Sequence, residues 1–198
     1  MSPSHPDLFE MRRLESLSNT IFGVAMTLLA YDLPKTGTFA SLPDWVDLYR
    51  LYAGKLSALM LSFIIAGLFW FSHQRRLARQ PEAGRGIVIL NLLFLLSIIL
   101  LPVTNGLYGN YRLSSAVAVL YGIHLTIIAG LNALLWWFCR KHSWHEVAGA
   151  IFPLLVFVPG TVVAAFVPQY VQYFWGIAFL ALLVRRLAAP REGSGSEA

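Results

Sequence analysis

Four residues near the N-terminus bring polar groups into an otherwise apolar run. Thr20, Val24, Thr27 and Tyr31 follow one another at helical spacing and share one face. Two hydroxyls, a small apolar side chain and a phenol serve no purpose toward lipid. Toward other helices they would pack, since threonine is common where membrane helices touch. Around a shared axis, facing copies of itself, the same stripe would line a pore. Spacing by itself favours packing.

A second constellation joins two stretches of chain. Arg13, Ser18 and Asn19 precede the stripe, and Trp70 and His73 stand three residues apart on another helix face. An arginine can stack on an indole and donate to an imidazole or a carbonyl. Such a network would clamp the first helix to the second. An arginine at a membrane boundary also simply snorkels to the headgroups.

The other polar residues inside apolar stretches are Asn91, His124, Asn132 and Thr161. Such groups bond across membrane helices, and His124 is in addition a candidate proton or solute ligand. No acidic or basic residue lies deep in the later apolar stretches, which counts against a proton pump. There is no phosphate loop. His142 and His145 in HSWHE lack zincin spacing and a third ligand, so no metal and no cofactor is expected. The chain does not read as an enzyme.

The elements that position these groups follow from composition. Of 198 residues 57% are hydrophobic and only 13% charged, and the apolar residues fall in blocks. Crossing a hydrocarbon core takes roughly 20 residues per helix. Six blocks meet that need, at about Leu14–Leu33, Leu51–Ser72, Gly86–Val103, Ser114–Phe138, Val147–Val167 and Tyr170–Leu183. Pro34 ends the first. Trp45 and Tyr49 suit a short interfacial helix before the second. TNGLYGNY reads as a tight turn after the third, and Pro153 and Pro159 as a kink in the fifth. The chain divides into a mobile N-terminal tail (1–11), a six-helix membrane domain (12–187) and a flexible C-terminal tail (188–198). The single cysteine, Cys139, excludes an internal disulfide.

Cations fix the orientation. Arg12, Arg13, Arg75, Arg76, Arg79, Arg85, Arg140, Lys141, Arg185, Arg186 and Arg191 fall on one side of the membrane. Lys35, Arg50, Lys55 and Arg112 fall on the other. The bias places both termini in the cytoplasm of a multi-pass protein of the inner (plasma) membrane. The net charge of +5 therefore belongs to the loops and implies no nucleic acid.

The segment RLESLSNTIFGVAMTLLAYDL resembles the first helix of the bacterial transmembrane protein 175 potassium channels. Their signature there is Arg, three residues, then Phe-Ser-Asp; here it reads Arg13, three residues, Leu17-Ser18-Asn19. Leu17 keeps bulk without the aromatic face, and Asn19 keeps hydrogen-bonding reach without the charge. WFSHQRR is similar to the family's Trp-x-x-His-x-Arg ending, and LNLLFLLSIILLPVTNGLYGNY to its third helix. The resemblance implies an all-α homotetramer of six-helix subunits, whose first helices line a central pore permeable to potassium. It implies apolar constrictions at Val24, Leu28 and Tyr31 and a selectivity layer at Thr27, and so decides for pore over packing. The carbonyl-filter sequence TVGYG is absent, so preference for potassium should be weak to moderate.

The expectation is a potassium-permeable channel with partners limited to its own copies and the bilayer. The alternatives are a proton or small-solute transporter using His124 and the fifth helix, and a membrane scaffold that transports nothing.

Overall fold

The computed structural model describes residues 8–35, 39, 41–78, 82–138 and 144–176. It is mostly helical. Strand β1 (Leu8–Glu10) leads into α1 (Met11–Leu28), which tightens into a 3-10 segment over Leu29–Asp32. There follow α2 (Trp45–Leu77), β2 (Glu82–Gly84), α3 (Arg85–Tyr111), α4 (Ser115–Trp137) and α5 (Trp144–Phe166). A further helical stretch covers 168–176. Among the described residues, four helices are long and apolar enough to cross a membrane: Trp45–Leu77, Arg85–Tyr111, Ser115–Trp137 and Val147–Phe166. The chain is a multi-pass membrane protein on that evidence. α1 is more polar, but with its 3-10 extension it covers 18 and 4 residues. That is roughly 35 Å of helix against a hydrocarbon core of about 30 Å. The end of the expected sixth span, Cys139, His142 and the C-terminal tail lie outside the described residues.

Three expectations about the connections are corrected. The end of the N-terminal tail is not loose, since Leu8–Glu10 pair antiparallel with Glu82–Gly84. The segment with Trp45 and Tyr49 is not a separate interfacial helix but the start of α2. Asp44 and Asp47 form a capping box there, with the Asp47 amide donating to Asp44 Oδ1 at 2.8 Å. Two reciprocal caps satisfy amides that would otherwise be orphaned, and they set where the helix begins. TNGLYGNY is not a turn but the last turns of α3. Its Gly109 faces α2: a methyl there would sit at contact distance, 3.5 Å from Ala58 Cβ. Asn110 donates back to the Gly106 carbonyl at 2.8 Å. Glycine in this stretch serves helix contact rather than reversal. α5 stays helical through Pro153 and Pro159, although neither proline has an amide proton to donate.

The core is aromatic at its centre. Tyr108 of α3 stacks on Tyr121 of α4, with ring centroids 4.8 Å apart. Trp175, from the 168–176 stretch, is fully buried against both rings and Phe157. Ser62 of α2 donates to Asn105 Oδ1 at 2.8 Å and sits 2.7 Å from the Tyr121 hydroxyl. Those bonds tie α2, α3 and α4 together where no water competes.

Candidate functional site

α1 has two distinct faces. Leu14, Ser18, Phe22, Ala25 and Leu29 are buried against the rest of the chain. Their spacing of four, four, three and four residues is that of one apolar helix stripe. Phe22 is the deepest anchor, its ring centroid 5.9 Å from His73 and 6.0 Å from Phe94. Ser18 joins this face by donating to its own helix, to the Leu14 carbonyl at 2.6 Å. Burial of one face leaves the other outside. Leu17, Thr20, Val24, Thr27, Leu28 and Tyr31 are all exposed, Val24 at 52% and Tyr31 at 66%. Among the described residues, then, the hydroxyl stripe is left largely exposed.

Both threonines of the stripe are polarised the same way. Thr27 Oγ1 donates to the Val24 carbonyl at 2.7 Å, and Thr20 Oγ1 to the Ser16 carbonyl at 3.0 Å. A carbonyl only accepts, so each hydroxyl proton points back into the helix. What the oxygen turns outward is lone-pair density, the polarity a cation requires.

The far end of α1 is held by α3. The Asp32 carboxylate rests directly on Gly106, where any added methyl would overlap it. Leu33 is extended ahead of Pro34, whose carbonyl accepts from the Tyr52 hydroxyl at 3.2 Å. A residue before proline avoids helical backbone, which closes the 3-10 segment. Lys35 lies over the Tyr31 ring, 4.3 Å from its centroid.

At the opposite end, Trp70 Nε1 donates to Asn19 Oδ1 at 3.0 Å, and the Gln74 amide donates to the same oxygen. Asn19 thus joins α1 to α2 at an exposed position. His73 also meets α1, its ring beside Phe22, while its Nε2 bonds to α3. It is fully buried, stacks on Phe94 with centroids 5.5 Å apart, and places Nε2 2.8 Å from Asn91 Oδ1. Arg76, equally buried, donates to that oxygen at 2.8 Å. Arginine has only donors, so the Asn91 atom it meets is the oxygen. The His73 proton therefore sits on Nε2. Trp70 and His73 do not act on one partner, and Arg13 is exposed on α1. Sequence reasoning passed over Arg76, Gln74, Asp32 and Gly106. The i, i+3 pairing of His73 with Arg76 was the available signal for the first of these.

His124 is accounted for by packing. Its Nε2 donates to the Ser97 carbonyl at 3.0 Å, and its Nδ1 accepts from Thr104 Oγ1 at 2.7 Å. Both ring nitrogens bind α4 to α3, which leaves no lone pair for a transported proton. Among the described residues, no three His, Cys, Asp or Glu side chains converge as a metal site.

Residues 13–102 match the sequence profile of the family described as endosomal/lysosomal potassium channel TMEM175. A protein named as a potassium channel from Streptomyces collinus is 28% identical over 134 residues. That match takes in 65% of this chain and spans 64% of the relative's length. The crystal structure of a lysosomal potassium-selective channel TMEM175 homolog from Chamaesiphon minutus superposes with a TM-score of 0.74. It is 18% identical and covers 90% of this chain and 98% of its own. At that identity the likeness establishes the fold. These relatives are channels rather than enzymes.

Proposed function

Taking as premise that the chain resembles the TMEM175 potassium channels, we propose that it is one subunit of a potassium-permeable channel whose pore runs along the exposed face of α1. The observation that carries this reading is the pair of threonines whose protons are committed inward, on a face the subunit itself leaves uncovered. Four copies around an axis would turn that face into a wall. The whole subunit would have six spans, with both termini in the cytoplasm of a cell that keeps it in the plasma membrane.

The wall alternates grease and oxygen. Val24, Leu28 and Tyr31 form the narrow apolar rings, and Thr27 lies between the first two. A ring of apolar side chains blocks ions by dewetting when it is narrow. A small outward rotation of α1 admits water and a partly hydrated cation. Thr27 oxygens then replace some of the ion's water, which gives a weak to moderate preference for potassium. Asn19, Trp70 and Gln74 brace the inner end of α1, and Asp32 on Gly106 braces the outer end. Ser18 and Phe22 seat the middle, and Arg13 sits at the inner boundary.

The test is potassium flux from liposomes holding the purified chain. Flux above empty liposomes is expected, and Val24→Asn should raise it by easing dewetting. Absence of potassium flux in both forms would end the proposal.

A further inference from the structure

The four cations on the sparsely charged side of the membrane are not spread evenly. Arg50, Lys55 and Arg112 line one open cleft of about 570 Å³ between the start of α2 and the α3–α4 turn. Among the described residues no carboxylate lines it; the remaining walls include Asn110 and Ser114. Lys55 and Arg112 are half-buried. Partial burial of like charges together is unfavourable unless an anion joins them.

Two local features hold the cleft in shape. Arg112 lies along α2 at Gly54, where a methyl would sit at contact distance, 3.4 Å from the guanidinium carbon. Ser114 caps α4 without a side-chain bond to the helix. The first amides of α4, at the positive end of its dipole, thus lack a side-chain acceptor beside the cleft. The rim is apolar and aromatic. Tyr111 is 61% exposed and Leu113 70%. Such residues at helix ends sit at headgroup depth.

We propose that this cleft binds the phosphate of an anionic phospholipid, held by Arg50, Lys55 and Arg112, with the acyl chains running down the exposed apolar sides of α2 and α3. A soluble anion would have no use for the apolar rim. Lys55, Gly109 and Asn110 also line, together with Asp32, a small neighbouring cavity, so the bound lipid abuts the segment that ends α1. Binding itself stands apart from the channel reading and is measured without transport.

The full chain, purified in detergent, is titrated with phosphatidylglycerol or phosphatidylcholine, and retained lipid is counted by native mass spectrometry. Phosphatidylglycerol should bind roughly tenfold more tightly. The double variant Arg50→Gln/Arg112→Gln should lose that preference, and Arg12→Gln, at the opposite end, should keep it. Lys55→Gln alone, which spares both guanidinium groups, should lower it about threefold. Its thermal midpoint reports whether the variant is folded. Equal retention of the two lipids by the native chain overturns the proposal. So does a preference that survives in the double variant. Displacement of the lipid by millimolar inorganic phosphate would make this a free-anion site and overturn the lipid assignment.

Discussion

The Thr27 hydroxyl lies 2.7 Å from the Val24 carbonyl and gives its proton to it. The side chain thereby shows an oxygen, not a proton, to whatever lies outside the helix. Thr27→Val removes that oxygen and keeps the shape. It should lower the potassium-to-sodium permeability ratio several-fold, read from reversal potentials under bi-ionic conditions. Thr27→Ser keeps the oxygen and should keep most of the ratio. Because Thr27 is exposed within the chain, neither change should move stability by more than about 0.5 kcal/mol.

Gly106 and Asp32 form a lock at the outer end of α1. Gly106→Ala meets the carboxylate at the far end of an exposed side chain that can swing aside, so it should cost no more than about 1 kcal/mol. Removing the obstacle should recover part of it, so Gly106→Ala/Asp32→Ala should be more stable than Gly106→Ala alone. Thermal midpoints of the four forms give the coupling. Strict additivity would show that the two residues do not meet.

Asn91 supplies one oxygen to two buried donors, His73 Nε2 and Arg76. Asn91→Leu leaves each without that acceptor, at a cost of about 1–3 kcal/mol per group. The variant should melt well below the native chain. An unchanged midpoint would show that the shared oxygen contributes nothing.

His124 divides the channel from the transporter that its position inside a span first suggested. His124→Asn breaks at least one of its two bonds to α3 and should lower the thermal midpoint. Flux per folded protein should remain, and should not saturate with potassium as a carrier's would. A folded variant with no transport would favour the carrier.

Much of α1 was legible in the sequence because two periodicities interleave there. Thr20, Val24 and Thr27 mark one face, and Leu14, Ser18, Phe22 and Ala25 mark its complement. Helical spacing reveals which residues share a face, but not which face is covered. That needed the rest of the chain. The end of α3 was misread because Gly106, Gly109 and Asn110 are turn residues by local preference. Their actual partners, Asp32 and Ala58 among them, are remote in sequence. The bond from His73 to Asn91 was missed for the same reason. The three-residue step to Trp70 is visible locally, whereas the nearness of Asn91 depends on how α3 lies on α2. The clustering of Arg50, Lys55 and Arg112 needed the fold outright.

The most direct measurement places a thiol on the exposed face of α1 while current is recorded. In a Cys139→Ser background, Val24→Cys or Thr27→Cys is reconstituted in planar bilayers and treated with a water-soluble thiol reagent. The pore account predicts that potassium current falls in both variants. It should persist with Ile127→Cys, an exposed apolar site on α4. Current that ignores reagent at Val24 and Thr27, yet is blocked through another helix, would contradict it.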